Sequence, residues 1–407
     1  YTSGAWRGTS FSAPHISGAL ALLADYLEEN LSKINRRDLS WATLMYTASP
    51  LFMQEEENLV EFEDLAVGAG VVNLTKAFNI LSSYTISDEN YPQMVTVLPK
   101  RLPTGLCNSS SLDKVDFFPY FDRLFVGQTL VFNFSIFASK ETVFDVSLSG
   151  NISDVLILNS DPSFDFSPPV YYYEINISVR SNSSEGYYVG KIVFNDSIYG
   201  NSVEIPMKFN VVKPRARVLM DLKHTDWVVD HRYGQYRFFT MQLEVMNNIS
   251  VEQWYHHSGE LSYEVLKKFN MLVCPDAASI EYLLNEEGVL SDTRPNIFTT
   301  REMDAIWRFI DSGGILVIFA MIGSYQGYMI HNLTNINELL EPTGIRFLDS
   351  VIIGAGSNPI AAYVRGNHIL VNGIDELPYY GIKLIIREGL AESLLTYGKS
   401  QLMAVYQ

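Results

Sequence analysis

The sequence predicts a multidomain chain, with an α/β segment over residues 1–83, a β-sandwich over 84–213 and a second α/β domain over 214–407. Three observations carry that division. Thr9 to about Glu28 is apolar on nearly every side, as in a helix at the centre of a domain. Val203–Val211 alternates strictly between apolar and polar residues, the pattern of a half-buried strand. Thr299-Thr300-Arg301-Glu302 is a capping box, and Met303, Ile306, Trp307 and Ile310 follow at helical spacing before Gly313-Gly314 and the wholly apolar Ile315–Phe319.

In the first segment Ser17, Gly18, Ala19, Ala21 and Ala24 are small enough for close packing, so the helix is expected to be buried all round. Pro14 falls at the edge of its first turn, where a missing N–H costs least. The helix opens on Gly8-Thr9-Ser10-Phe11-Ser12-Ala13-Pro14-His15-Ile16-Ser17-Gly18. A serine in a first helical turn holds its hydroxyl at the positive end of the dipole, and its own backbone N–H is an unpaired donor that can face an oxyanion. Gly8 lets a substrate approach the backbone closely. Two further segments follow, the helix Arg37–Ser49 ending in Thr47-Ala48, and Gly68-Ala69-Gly70-Val71-Val72-Asn73-Leu74-Thr75-Lys76-Ala77. In this order the three resemble the serine segment and the two closing segments of subtilisin-like serine proteases, the subtilases. The resemblance implies that residues 1–83 are the C-terminal part of a subtilisin-like catalytic domain. It also implies that Ser10 is the nucleophile and that Gly8, Thr9 and Ser10 form the oxyanion-binding helix start.

A peptidase of this type also needs a histidine base and an aspartate that orients it. In subtilases both lie upstream of the serine in Asp-Thr/Ser-Gly and His-Gly-Thr contexts, and neither context occurs here. His15 lies five residues from Ser10, about 140° around the helix and about 7.5 Å along it, and the motif makes it structural. The remaining histidines, His224, His231, His256, His257, His331 and His368, fall in the last domain. The expected function is therefore a fragment or processed chain of an extracellular serine endopeptidase, active only with an upstream part of the same protease, contiguous or nicked. Polypeptides are its substrates. The alternative is a cell-surface structural or adhesion protein built on an inactive subtilase domain.

The acidic stretch Glu55-Glu56-Glu57 to Glu61-Phe62-Glu63-Asp64 reads as a solvated loop. A structural calcium ion is compatible with it but is not legible in its spacing, and no cofactor is required for the chemistry. In the middle domain Leu124–Phe137, Ile175–Arg180 and Tyr188–Phe194 supply strands punctuated by Gly, Asn, Asp and Ser, as in an immunoglobulin- or fibronectin-like sandwich. Pro206 places the strand Val203–Val211 at an edge. Arg217–Asp221 and Met271–Cys274 are short apolar strands of the last domain. The stretch Arg217–His231 and the helix–Gly-Gly–strand unit resemble the domain that follows the protease in large extracellular subtilases of the archaeal and site-1 protease types, similar in outline to class I glutamine amidotransferases. Where those carry a Gly-x-Cys-x-Gly elbow, Ala320-Met321-Ile322-Gly323-Ser324 stands here, so the domain is expected to be non-catalytic and Cys274 a core residue.

A net charge of −17 argues against nucleic acid or anionic lipid as partners, and no run of about eighteen apolar residues is present to span a membrane. Cys107 and Cys274 make no disulfide framework or metal set. His224, Asp226, Asp230 and His231 cluster in sequence, but their spacing matches no zinc pattern and no metal site is assigned. Asn-x-Ser/Thr sequons begin at Asn30, Asn73, Asn108, Asn133, Asn151, Asn176, Asn182, Asn195, Asn248 and Asn332. Leu130, Phe132, Phe134 and Ile136 form one face of a strand with Asn133 on the other, and Asn176 likewise opposes Ile175 and Ile177. These sites imply a glycosylated chain that is extracellular or at the cell surface, with a surface layer or a membrane-anchored protein as a further partner.

Overall fold

A computed structural model describes residues 9–30, 36–50, 52–55, 58–61, 69–83, 91–101, 123–225, 236–255, 258–284, 290–320, 324–325, 328–329, 331–352, 359–365, 368–379 and 381–406. The chain divides into two compact units, residues 1–214 and 215–407. The architecture is multidomain and rich in β-sheet. Among the described residues no helix is long and apolar enough to cross a membrane.

The first unit opens with α1 (Thr9–Asn30), α2 (Arg36–Thr47), a hairpin of β1 (Phe52–Glu55) and β2 (Asn58–Glu61), and α3 (Leu74–Ser83). The hairpin overlaps the first part of the acidic stretch expected to be a loop, since β1 ends on Glu55 and β2 on Glu61. Ala19, Leu23 and Leu27 of α1 pack on Leu39 and Leu44 of α2 and on Ala77 and Leu81 of α3. Contrary to the expectation from its composition, α1 is not buried on every side: Ala13, Ser17, Gly18, Ala21 and Leu22 are exposed, Leu22 by 54%. Pro14 stands six residues into α1, beyond the first turn, so it has no N–H to donate to the carbonyl of Ser10.

An isolated β-bridge joins the end of α2 to the segment before α3. Ser49 and Val71 exchange backbone hydrogen bonds of 2.8 Å in both directions. Gly70 beside it has φ +107°, and a Cβ there would lie 2.2 Å from the Ser49 carbonyl oxygen. Asn73 then caps α3, its Oδ1 accepting from the Lys76 N–H at 2.9 Å and its amide donating to Ser49 Oγ at 2.8 Å.

The sandwich follows as β3 (Val95–Arg101), β4 (Arg123–Phe125), β5 (Thr129–Ala138), β6 (Thr142–Gly150), β7 (Leu156–Leu158), β8 (Ser163–Phe166), β9 (Val170–Val179), β10 (Gly186–Asp196) and β11 (Ser202–Val212). One sheet runs β3-β5-β9-β7 and the other β4-β11-β10-β6-β8. The alternation read from sequence holds: Leu130, Phe132, Phe134 and Ile136 share one core with Ile175, Ile177, Phe194, Ile205 and Phe209. The phenylalanine rings of Phe134 and Phe194 meet edge to face at 5.0 Å. Leu124–Phe137 is two strands rather than one, because Gly127 at φ +74° turns the chain between them. The strand β11 lies between β4 and β10, but β4 pairs only with Asn210–Val212, so Pro206 sits where β11 is still an edge. Contacts of α2 with β3 and β5, including Trp41 stacked on Phe137 at 6.4 Å, join the helices to the sandwich within one unit.

The second unit contains β12 (Ala216–Asp221), α4 (Arg237–Met241) continued by a π-helical turn, β13 (Ile249–Trp254), α5 (Tyr263–Leu266), β14 (Met271–Cys274), the hairpin β15 (Ile280–Leu284) and β16 (Leu290–Pro295), α6 (Thr300–Asp311) and β17 (Ile315–Ile318). The strands β13-β12-β14-β17 form a parallel sheet in that order. Val218, Met220 and Val273 pack on one face, and Leu219, Leu272 and Cys274 on the other. Both faces are covered, as expected for such runs. The strand β17 ends the sheet, which leaves Ile315 exposed where a fully buried strand was expected. A short hairpin, β18 (Ser324–Tyr325) and β19 (Tyr328–Met329), and α7 (Leu333–Leu340) follow.

The α/β pattern does not continue to residue 407. The strands β20 (Ile345–Ile352), β21 (Ile360–Val364), β22 (Glu376–Tyr379), β23 (Gly381–Ile386), β24 (Ala391–Tyr397) and β25 (Ser400–Tyr406) make a separate antiparallel sheet, ordered β20-β23-β25-β24-β21-β22. Gly398 at φ +60° makes the two-residue turn that pairs Tyr397 with Ser400.

The bridge at Gly70 generates a test. Gly70→Ala is expected to lower stability by about 2 kcal/mol or more, since it combines a left-handed conformation with a backbone clash. Thermal denaturation of the variant measures this, and an unchanged melting temperature would contradict the geometry.

Candidate functional site

Thr9 and Ser10 are the first two residues of α1, so Ser10 lies in the first helical turn. The side chain of Ser10 and all of Gly8 lie outside the described residues. His15 is exposed one turn further on. No histidine other than His15 occurs before His224, so the sequence of the first unit supplies no second imidazole to serve Ser10.

Among the sequons, Asn151, Asn182 and Asn195 are exposed. Asn133 and Asn176, expected to point outward, are half-buried. Asn133 lies between Arg101 of β3 and Glu174 of β9 in an interior strand of its sheet, and the Asn176 N–H donates to Ser160 Oγ at 2.8 Å. Asn248 has φ +54°, and Asn332 caps α7 by accepting from the Asn335 N–H at 3.1 Å. Asn30 ends α1, while Asn108 and Cys107 lie outside the described residues.

The second unit assembles a charged cluster at the carboxyl end of β12. Asp221 accepts from the backbone N–H of Lys223 at 3.0 Å and bonds His224 Nδ1 through its other oxygen at 2.7 Å. His224 Nε2 lies 3.2 Å from Glu302 Oε2. Glu302 also accepts from Lys223 Nζ at 2.7 Å, from the Leu261 N–H at 3.0 Å and, as the capping box requires, from the Thr299 N–H at 3.0 Å. Two carboxylates thus face an imidazolium and an ammonium, and every one of these contacts is a charge-assisted hydrogen bond or lies beside one.

Burial alone would lower the His224 pKa, but Asp221 and Glu302 outweigh it and raise it to about 9. Burial likewise opposes ionisation of Glu302, yet the donors around it hold its carboxyl well below the usual range. Both ring nitrogens of His224 are committed, which removes it from the His224, Asp226, Asp230, His231 set considered from sequence. Asp226, Asp230 and His231 lie outside the described residues, as do His256 and His257. Among the described residues no group of three or more His, Cys, Asp or Glu could hold a metal.

Cys274, at the end of β14, is wholly buried. Burial first, then the charge of Asp221 and a hydrogen bond with it, push its thiol pKa far up, which makes it a poor nucleophile. Of the Ala320–Ser324 stretch, residues 321–323 lie outside the described residues.

Beyond Cys274 the chain turns through Pro275, Asp276, Ala277 and Ala278, with Asp276 at φ +46° and Ala278 at φ +51°. His331 is buried beside this turn and donates from Nδ1 to the Ala277 carbonyl at 2.9 Å. Its Nε2 is therefore an unprotonated acceptor, and among the described residues it has no hydrogen-bond partner. Sequence reasoning missed Asp221, Glu302, Asp276 and His331 as parts of one region. Glu302 was legible only as a helix cap, and nothing local signals its contact with His224 seventy-eight residues earlier.

No family model matches the chain, and no curated protein matches it. Solved structures that it resembles include a putative ThuA-like protein from Bacteroides uniformis, at 16% identity and TM-score 0.28 over 45% of this chain and 67% of that one. A family 123 glycoside hydrolase from Clostridium perfringens aligns at 9% identity and TM-score 0.23, over 55% of this chain and 46% of that one. A FixG-related protein from Vibrio parahaemolyticus aligns at 9% identity and TM-score 0.20, over 30% of this chain and 96% of that one. These scores establish no shared fold.

The charged cluster sets an expected pH dependence. A His224 pKa raised from about 6.5 to about 9 contributes stability that is full below about pH 6.5 and lost as pH rises through about 9. The contribution is on the order of 3 kcal/mol. Between pH 6.5 and pH 9.5 the denaturant midpoint should therefore fall in the native chain and fall much less in His224→Gln. Equal alkaline losses in the two proteins would show that His224 is not the titrating group.

Proposed function

We propose that this chain is the C-terminal portion of an extracellular subtilisin-like serine endopeptidase in which Ser10 is the nucleophile. The observation that carries the reading is the Gly8-Thr9-Ser10 motif with Ser10 in the first turn of a 22-residue helix. A hydroxyl there sits in the positive field of the helix start, and the unpaired N–H groups of that turn suit a developing oxyanion. The Gly70 close approach and the Asn73 cap give physical reasons for two positions of the third motif.

The base and its orienting aspartate come, on this reading, from an upstream segment of the same protease. Its histidine takes the proton as Ser10 Oγ attacks the peptide carbonyl, then returns it to the departing amine, leaving an acyl-enzyme that water hydrolyses. The exposed small residues of α1, Ala13, Ser17, Gly18 and Ala21 with Leu22, are where that segment packs. The sandwich is an immunoglobulin- or fibronectin-like spacer, and the α/β unit, amidotransferase-like in outline, is a non-catalytic appendage. Polypeptides are the substrates, no cofactor is needed for the chemistry, and the exposed sequons carry glycans at the cell surface or beyond.

Labelling the full-length native protein with a fluorophosphonate and mapping the adduct by mass spectrometry tests the reading. The adduct is expected on Ser10. A folded protein that is labelled elsewhere, or not at all, would contradict it and favour a surface structural or adhesion protein on an inactive subtilase domain. The same peptide map, taken before and after deglycosylation, is expected to show glycan at Asn182 and Asn195. Unmodified peptides at both would count against a glycosylating compartment.

A further inference from the structure

The order β13-β12-β14-β17 carries the chain from β12 to one neighbour, β13, and then across to the other, β14. The reversal lies between β12 and β14, and in open parallel sheets the crevice outside such carboxyl ends is where ligands bind. Asp221 and Cys274, which end these two strands, are locked into the buried cluster and offer nothing to a ligand. The next residues differ. Asp276 is half-buried, and among the described residues its carboxylate has no hydrogen bond or ion pair. Burial is the sole cause that pushes its pKa up to about 6, so at neutral pH it is mostly ionised and poorly solvated.

The turn that presents Asp276 is held from two sides. The Ala277 N–H donates to the Phe319 carbonyl at 3.1 Å, and the Phe319 N–H donates to the Cys274 carbonyl at 3.0 Å. From the other side, His331 Nδ1 donates to the Ala277 carbonyl at 2.9 Å and the Asn332 N–H to the Ala278 carbonyl at 2.8 Å. These bonds fix two non-glycine residues in left-handed backbone, a strain that persists only where the surroundings over-determine it. Two aromatic residues neighbour this turn. Phe319 is 37% exposed, its ring is 5.6 Å from that of Tyr236, and the Tyr236 hydroxyl feels the charge of Asp276.

We propose that this crevice binds an organic cation, the ammonium or guanidinium group of a lysine or arginine side chain, with Asp276 as counter-ion and the Tyr236 and Phe319 rings beside it. A half-buried carboxylate on a turn bonded to Phe319, near Tyr236, favours such a group on two counts, charge and cation–π attraction. An anion would be repelled, and a metal ion would lack a third ligand among the described residues. The chain's net charge of −17 draws cations toward it. The inference concerns the second unit and does not depend on the chemistry of Ser10.

The test is calorimetric titration of the full chain with acetyl-Gly-Lys-Gly-amide and acetyl-Gly-Arg-Gly-amide, with the glutamine peptide as control, in about 0.15 M salt to screen diffuse attraction. The basic peptides are expected to bind and the glutamine peptide not to. Asp276→Asn keeps the side-chain shape and a residue tolerant of left-handed backbone, so it should fold, with a melting temperature unchanged or raised. It should weaken binding at least tenfold, and Phe319→Ala several-fold. Equal affinity of the Asn variant and the native chain, or failure of the native chain to distinguish lysine from glutamine, would overturn the proposal. A lowered melting temperature with unchanged binding would mark Asp276 as a turn residue only.

Discussion

Leu23 and Leu27 of α1, buried completely against Leu39, Leu44 and Leu81, hold the first unit's helices together. Only one side of α1 takes part. Its other side leaves Ala13, Gly18, Ala21 and Leu22 exposed, beside His15, Asp25 and Glu28. Function, on the reading proposed, follows from this asymmetry. On that reading the helix that carries Ser10 at its start also offers exposed small residues to the upstream segment, and assembly of the active site and completion of the core become one event. Small side chains at that face allow a partner's backbone to come close.

The second unit rests on a different interaction, the Glu302 carboxylate. Four donors converge on it from the chain after β12, from the chain before α5 and from the start of α6. Breaking such a buried set by removing one partner leaves an uncompensated charge. The cluster is internally neutral and fully engaged, which is why it reads as structural while the adjacent Asp276, with no partner among the described residues, does not.

The sandwich was legible because strand alternation is a local signal: Leu130, Phe132, Phe134 and Ile136 face the core as their spacing requires. The capping box at Thr299 and Glu302 was legible for the same reason. What failed depended on neighbours. Ile315–Ile318 reads as a buried strand, yet it ends its sheet. The six-stranded antiparallel sheet was missed in part because three of its five pairings, β20–β23, β23–β25 and β21–β24, join strands that are not consecutive in the chain. Of the sites, Ser10 is proposed from a motif alone, while the contacts of Glu302 with Lys223, His224 and Leu261 join residues far apart in sequence and leave no local pattern.

The central claim, that the exposed side of α1 is an interface for the upstream part of a protease, is tested most directly by amide hydrogen exchange. Exchange across α1 would be followed in the full chain alone and after joining it to the upstream segment. The amides of α1, residues 12–28, are predicted to become markedly more protected in the joined protein while those of the sandwich strands stay unchanged. Equal protection of α1 in both samples would contradict the claim.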